Sequence, residues 1–304
     1  MNYLISRILS FIFLLLVLSF LGIQFQSLRG GSAALAISGQ RAKEKDIQEI
    51  NKQLESKENI LVRVLLTVSQ YVRFDFGETV RGEPVIKLVI DAFKKTAVIA
   101  VWAAVFSFFY GILGGITGHL KSSIRNYILS LNYFILANPI FIISLVLLWI
   151  FSLAFAWLPP GGTMLSGWYI LPAAALGLKA GCRLALFTDE FMSREKKNQY
   201  VLTAKAYGFT SLRIHLIFIL KNMFLPLISF WLLDFASYLA GAAIVETIFS
   251  INGLGRLLLQ ALLQYDLNLI MGILTFVSML VFLTGSVQEA MDKYFAKFSS
   301  AKTE

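Results

Sequence analysis

Charged residues are scarce in this chain of 304 residues, at 15% against about 25% in a soluble domain. Cysteine occurs once, as Cys182, so an intramolecular disulfide is excluded. The two histidines, His119 and His215, lie far apart and give no metal-ligand spacing. Hydrophobic residues make up 57% of the chain, and the mean hydropathy is +0.72. This composition excludes soluble globular, disordered and disulfide-rich classes, and it predicts a polytopic membrane protein.

Long runs without a charged residue supply the expected membrane spans, at 8–28, 96–118 and 126–178. The third run has 53 residues, too many for one helix of about 20 residues, and the turn-forming residues 159–162 divide it. Further apolar segments follow. The sequence therefore predicts an all-α membrane protein whose six transmembrane helices cover 8–28, 96–118, 127–157, 168–188, 223–247 and 267–289.

Basic residues in the short loops set the expected orientation. Loop 119–125 carries two Lys or Arg residues and segment 189–222 carries six, whereas loop 158–167 carries none. By the positive-inside rule, both chain ends and segment 189–222 lie in the cytoplasm. The formal charge of +9 is then explained by topology, and we expect no nucleic-acid partner.

Four parts follow from these spans. They are an N-terminal transmembrane helix over 1–28, an extracytoplasmic segment over 29–95, a five-helix core over 96–290 and a cytoplasmic tail over 291–304. The first span resembles a signal peptide, but its apolar stretch is too long, so we expect it to be retained. Helical spacing in 38–70 predicts one or two amphipathic helices, either a solvated cap on the spans or a surface for a partner.

The motifs of an enzyme are missing. The nearest approach to a nucleotide-binding loop, residues 114–119, lacks the Gly-Lys-Ser/Thr ending that engages phosphates and Mg²⁺. No nucleophile–base pair can be identified. We therefore expect no catalytic residue, no metal and no cofactor in this chain.

Segment 198–208 predicts a short cytoplasmic helix. Asn198 is a suitable N-cap, and Gly208 a suitable residue to end the helix. Tyr200, Val201, Ala204 and Tyr207 would then share one face. Two interpretations stay open: this face docks into a groove on another protein, with Ala204 at the closest approach, or the helix lies in the lipid headgroup layer.

Two acidic residues interrupt the fifth span. Asp234 lies near its midpoint, where an Asp costs about 2.5–3.5 kcal/mol on insertion scales, so it should face protein or water. Three roles are open for Asp234: a structural pairing, a place along a transport path, or exposure to lipid. Glu246 lies nearer the outer end, where a plain interfacial anchor is one interpretation.

Two blocks of sequence resemble a known family. Residues 200–208, Tyr-Val-Leu-Thr-Ala-Lys-Ala-Tyr-Gly, resemble the cytoplasmic loop of permease subunits of binding-protein-dependent ABC importers, in the oligopeptide, dipeptide and nickel branch. Residues 241–257, from Gly241 to Leu257, are similar to the hallmark that follows the fifth span in that branch. Ile251 and Asn252 depart from it, because Trp-Pro is usual there.

The resemblance implies a type I ABC importer permease in the bacterial cytoplasmic (inner) membrane. It implies four kinds of partner: a second homologous permease, two cytoplasmic ATPase subunits that bind ATP and Mg²⁺, an extracytoplasmic substrate-binding protein and the lipid bilayer. The ATPase-coupling residues it implies are Tyr200, Val201, Thr203, Ala204, Lys205, Ala206 and Gly208. For Glu246 the matched block implies a gate or a contact with the binding protein, and it places Gly253 and Gly255 in an outer-loop motif. Asp234 is a candidate for the translocation path because of its position in the span.

Two other classes of function remain open. In an ion-coupled secondary transporter, Asp234 and Glu246 would relay protons, although no internal repeat of discontinuous helices is visible. A structural membrane protein would have no path at all. ATP dependence of uptake separates the importer from the first, and any uptake separates it from the second. The solute could be a peptide, a metal chelate, nickel or a sugar-like solute.

Overall fold

The structure is a computed structural model that describes residues 9–20, 22, 68–71, 73–120 and 122–300. Its described part is built from helices. These are α1 (Leu9–Phe20), α2 (Val85–Leu120), α3 (Ser122–Ala137), α4 (Ile140–Leu148), α5 (Ile170–Glu195), α6 (Gln199–Ala206), α7 (Leu220–Ile248), α8 (Leu254–Gln264) and α9 (Leu267–Ser300). A π-helical segment, Trp149–Ala154, continues α4, and the turn Ser211–Arg213 with the π-helix Ile214–Ile219 leads into α7.

Among the described residues, four helical stretches are long and apolar enough to cross a membrane: Val85–Thr117, Ile170–Glu195, Ser211–Leu232 and Leu267–Met291. The pair Ile124–Ala137 and Ile140–Ala154, bent by 107°, makes a fifth candidate if it is one span. The predicted all-α membrane class is confirmed. Of the predicted first span, the structure describes α1, and most of the amphipathic region 38–70 lies outside the described residues.

Pro139 explains the bend between α3 and α4. Proline lacks a backbone N–H and pushes the residue before it out of the helical region, here Asn138. The predicted span 127–157 is therefore two helices rather than one. Pro172 does not interrupt α5 in the same way, because it lies in the first turn, where the N–H would have no helical partner.

Small residues let α2 and α5 approach closely. A Cβ at Gly177 would lie only 2.6 Å from the Ala103 carbonyl oxygen. The facing pairs, with the α2 residue first, are Ala103–Gly177, Ser107–Gly181, Gly111–Leu184 and Gly115–Thr188. Because the numbers rise together, the two helices run in the same direction. Such small-residue contacts drive helix association in lipid.

The described residues fall into two compact units, one within Met1–Phe93 with Leu257–Phe282 and the other within Lys94–Arg256 with Leu283–Glu304. In the first, Asp266 accepts the Val80 backbone N–H at 2.9 Å, and Phe93 stacks edge-on against Phe276. The second contains two apolar clusters. One joins α2, α5 and the end of α7 around Ile99, and the other joins α5, α6 and the start of α7 around Met192. Every candidate site residue lies in the second unit.

Candidate functional site

The predicted cytoplasmic helix is present as α6, Gln199–Ala206. Asn198, at its N-cap, has an extended backbone, and its side chain makes no capping hydrogen bond. Gly208 has φ +78°, in the left-handed region that favours glycine, and a Cβ there would meet no atom within 4 Å. The helix and the residue that ends it were thus predictable from local signals.

The small-residue face of α6 points into the chain itself. Val201 is fully buried and Ala204 is 4% exposed, and both pack in the apolar cluster with Met192 of α5 and Ile219 before α7. The prediction that Ala204 makes the closest approach to another protein is therefore wrong. A helix with one apolar face buries that face against its own chain when apolar neighbours are available.

The two tyrosines of the predicted face differ in exposure. Tyr200 is half-buried, and its hydroxyl donates a hydrogen bond to Glu195. Burial, with a smaller contribution from Glu195, raises the pKa of Tyr200 to about 12. Tyr207, beyond the last helical turn, is 79% exposed. The predicted face is therefore split between the interior and solvent.

The opposite side of α6 is exposed. We call it the outer face of α6; its members are Leu202, Thr203, Lys205 and Ala206. Leu202 is 50% exposed. Lys205 adds positive charge near Lys196, whose pKa is lowered by burial and then by Lys205 and Arg125. This end of the unit thus presents a mixed apolar and cationic surface, suited to a partner with apolar pockets and acidic side chains.

Asp234 lies near the middle of α7 and pairs with Arg183 of α5. Both Nε and Nη2 of Arg183 donate to Oδ1 of Asp234, at 3.1 and 2.8 Å. Asp234 is 8% exposed, which contradicts exposure to lipid, whereas the side chain of Arg183 is 37% exposed. In the described part of the chain, Oδ2 of Asp234 has no hydrogen-bond partner. The structural pairing expected as one alternative is therefore present.

Sequence reasoning missed Arg183 as the partner of Asp234. Arg183 was a visible signal, since it lies four residues after Lys179 inside an otherwise apolar span. Lys179 donates to the Asn138 carbonyl at the α3–α4 break, at 2.8 Å. The α5 helix thus brings two cations to two different neighbouring elements.

Polar groups also fasten α7 to α2 near Asp234. Trp231 donates its indole N–H to the Ala104 carbonyl at 3.0 Å and to the Ser107 hydroxyl at 3.1 Å. Ser107 and Tyr238 share a hydrogen bond of 2.6 Å between their hydroxyls. These bonds hold Asp234 at a fixed position between α2 and α5.

Glu246 is fully buried at the outer end of α7. Thr96 of α2 donates its hydroxyl to Oε1 at 2.6 Å, and the Arg256 backbone N–H donates to Oε2 at 3.0 Å. The Thr96 oxygen in turn accepts the Leu254 N–H at 2.8 Å. The carboxylate therefore caps the N-terminus of α8, where negative charge is stabilised. An interfacial anchor and a direct contact with a partner are both ruled out by this burial.

The two glycines of the predicted outer-loop motif are explained by the same contact. A Cβ at Gly253 would collide with the Glu246 carboxylate, and a Cβ at Gly255 would collide with the backbone of Ala243. Only glycine lets the loop come close enough for the carboxylate to reach the start of α8. We call Thr96, Glu246, Gly253 and the first turn of α8 the outer clasp.

Comparisons with known proteins identify relatives of this chain. Residues 111–299 match a family described as binding-protein-dependent transport system inner membrane component. The glutathione transport system permease protein GsiC of Escherichia coli (strain K12) is 28% identical over 269 residues, which are 88% of each chain. Its counterpart in Shigella dysenteriae serotype 1 (strain Sd197) has the same identity and coverage.

Solved structures share the fold. An inward-facing conformation of the MetNI methionine ABC transporter aligns with a TM-score of 0.59 at 13% identity, covering 69% of this chain and 96% of that chain. A second crystal form aligns with a TM-score of 0.58 at 15% identity, covering 68% and 95%. At this identity the match concerns the fold alone.

Proposed function

The chain belongs to the family of binding-protein-dependent transport system inner membrane components, and we propose that it passes a peptide-like solute across the membrane with energy supplied by separate ATPase subunits. It is the permease subunit of an ABC importer of the bacterial inner membrane. The peptide-like class is supported by the glutathione permease relatives. Nickel and metal chelates are the alternative cargoes within the resembled branch.

The observation that carries this proposal is the two-sided placement of α6. The inner face of α6, formed by Val201 and Ala204, packs with Met192 of α5 and with Met223 of α7 in one apolar cluster. Its outer face is exposed at the expected cytoplasmic end. A push on the outer face would therefore move α5 and α7 together, because packed elements shift as bodies rather than deform. These two helices also carry the Arg183–Asp234 pair.

The proposed topology has six spans with both ends in the cytoplasm. The parallel run of α2 and α5 supports counting α3 and α4 as one crossing. If that pair returned to its own side of the membrane, α5 would have to run opposite to α2. The first span, 8–28, completes the six.

The proposed partners follow from the family. A second permease would complete the path, an extracytoplasmic binding protein would deliver the solute, and two ATPases would bind ATP and Mg²⁺. The outer face of α6 is the proposed ATPase-coupling surface, replacing the inner face that the sequence had favoured. A proton relay through Asp234 and Glu246 is disfavoured, because Arg183 pairs with one and the outer clasp encloses the other.

The test is the complete importer in proteoliposomes, with glutathione as the probe. Uptake that requires ATP supports the proposal, and equal uptake with and without ATP contradicts it. For the coupling surface, Ala206→Trp should reduce co-purification of the ATPases about tenfold, since overpacking a contact costs about 1–3 kcal/mol.

Matched controls separate docking from folding. Ala206→Ser should leave ATPase recovery unchanged. Ala204→Trp should instead lower the thermal stability of the permease, because Ala204 is buried in its own chain. Normal ATPase recovery and uptake by Ala206→Trp would exclude the outer face of α6 as the coupling surface.

A further inference from the structure

Two cations lie one turn apart on the same half-buried stripe of α5. Leu186 follows Lys179 and Arg183 along this stripe, and the exposed Glu190 comes next at helical spacing. The helix runs from Ile170 to Glu195, so the two cations lie roughly 14 and 20 Å from its start at 1.5 Å per residue. Both are therefore at mid-membrane depth.

Positive charge exceeds negative charge at this depth. Asp234 neutralises Arg183 through Oδ1. Lys179 bonds to a neutral carbonyl, that of Asn138, and within the described residues no carboxylate lies close enough to pair with it. In the same part of the chain, Arg183 commits Nε and Nη2 to Asp234 and leaves Nη1 without a bonded partner. One unit of positive charge and a set of N–H donors thus remain available.

A half-exposed cation at mid-membrane depth cannot face lipid without a large cost, so it faces protein or a water-filled cavity. We propose that Lys179, together with Arg183, binds a carboxylate of the solute as it crosses, so that the path selects peptide-like solutes that carry a free carboxylate. This inference rests on the proposed function. An anion would accept charge-assisted bonds from both side chains, in the geometry that guanidinium and ammonium groups offer to carboxylates.

Asp234 has a complementary part in this site. It holds the Arg183 guanidinium in place and reduces the local charge from two to one. Conduction requires that binding be strong enough for entry and weak enough for release. A net charge of one serves both entry and release better than two cations without a carboxylate partner would. Asp234 acts here as a positioning residue, through Arg183.

The experiment compares ATP-driven uptake of trialanine and of its C-terminal amide by the complete importer. The variants are Lys179→Gln, which can still donate to the Asn138 carbonyl but has no charge, and Lys179→Arg, which keeps the charge. We expect Lys179→Gln to lower trialanine uptake about tenfold, the loss of one charge-assisted bond. Lys179→Arg should stay within about twofold of wild type, and the amide should be affected much less.

Comparing each variant with wild type for the same probe cancels the preference of the binding protein. Trialanine uptake by Lys179→Gln at the wild-type rate overturns the inference, as does an equal loss for the acid and the amide, which would indicate a contact with the second permease. If wild type does not import the amide, the Gln-against-Arg comparison decides alone. ATP-independent uptake by wild type would instead contradict the proposed function.

Discussion

Asp234 and Glu246 are acidic residues of the same helix, 12 positions apart, yet their surroundings differ. Both oxygens of Glu246 accept hydrogen bonds from its own chain, and the side chain is fully buried. Asp234 uses one oxygen, and its partner Arg183 is half-exposed. Burial and satisfied hydrogen bonds mark Glu246 as structural. The half-exposed Arg183 beside Asp234 marks a position that water or a second molecule can reach.

The largest expected effect comes from opening the outer clasp. Glu246→Ala leaves the Arg256 N–H buried without an acceptor and removes the acceptor of the Thr96 hydroxyl, which should cost about 3 kcal/mol. Thermal unfolding of the permease in detergent measures this loss. Glu246→Gln, which can still accept one of these bonds, should lose about 1 kcal/mol. Equal stability of Glu246→Ala and wild type would remove the structural role.

A smaller loss is expected when the clasp is crowded rather than opened. Gly253→Ala would push its Cβ into the Glu246 carboxylate, and overpacking of this kind costs about 1–3 kcal/mol. Gly114→Ala is the matched control, because a Cβ there would lie in ordinary van der Waals contact, 3.5 Å from the Cβ of Ala185, and its backbone is helical. If the two variants unfold at the same temperature, the close approach at Gly253 is not what requires glycine.

The smallest effect on stability is expected at the other carboxylate. Asp234→Asn keeps the shape of the side chain and an acceptor for Arg183, whose guanidinium is half-exposed, so the stability loss should be smaller than that of Glu246→Ala. ATP-driven uptake should nevertheless fall, and Asp234→Leu should lower it further, while membrane abundance stays near wild type. Parallel loss of uptake and abundance would make Asp234 as structural as Glu246 and would erase the contrast between them.

Local signals in the sequence predicted the elements but not their partners. Gly208 ends α6 because a left-handed backbone depends on the residue itself, and Asn198 lies at its start with an extended backbone, although its side chain makes no capping hydrogen bond. Uncharged runs predicted membrane-crossing helices for the same reason, and the described residues contain four candidate spans, or five if the bent pair is one span. Pro139 was visible too, but whether a proline kinks or ends a helix depends on the neighbours that satisfy the freed backbone groups.

Local signals in the sequence could not predict contacts between residues that are far apart in the chain. The inner face of α6 was expected to meet another protein, because the sequence does not say that Met192 and Ile219 lie opposite Ala204. Arg183 became the partner of Asp234 only once α5 and α7 were packed together. Thr96 carries no pattern that links it to Glu246, 150 residues later. Pairings of this kind form only when the helices pack together, so the sequence alone does not reveal them.

Accessibility of two positions to a thiol reagent tests the central contrast most directly. Cys182 is buried and is the only cysteine of the chain, so Cys182→Ala provides a cysteine-free background. In the complete importer in proteoliposomes, Lys179→Cys should react with a membrane-impermeant reagent, at a rate that ATP changes. Val245→Cys, a fully buried neighbour of Glu246, should stay unlabelled. If Lys179→Cys stays unlabelled in every nucleotide state, or if both positions are labelled equally, a water-filled path along α5 is contradicted.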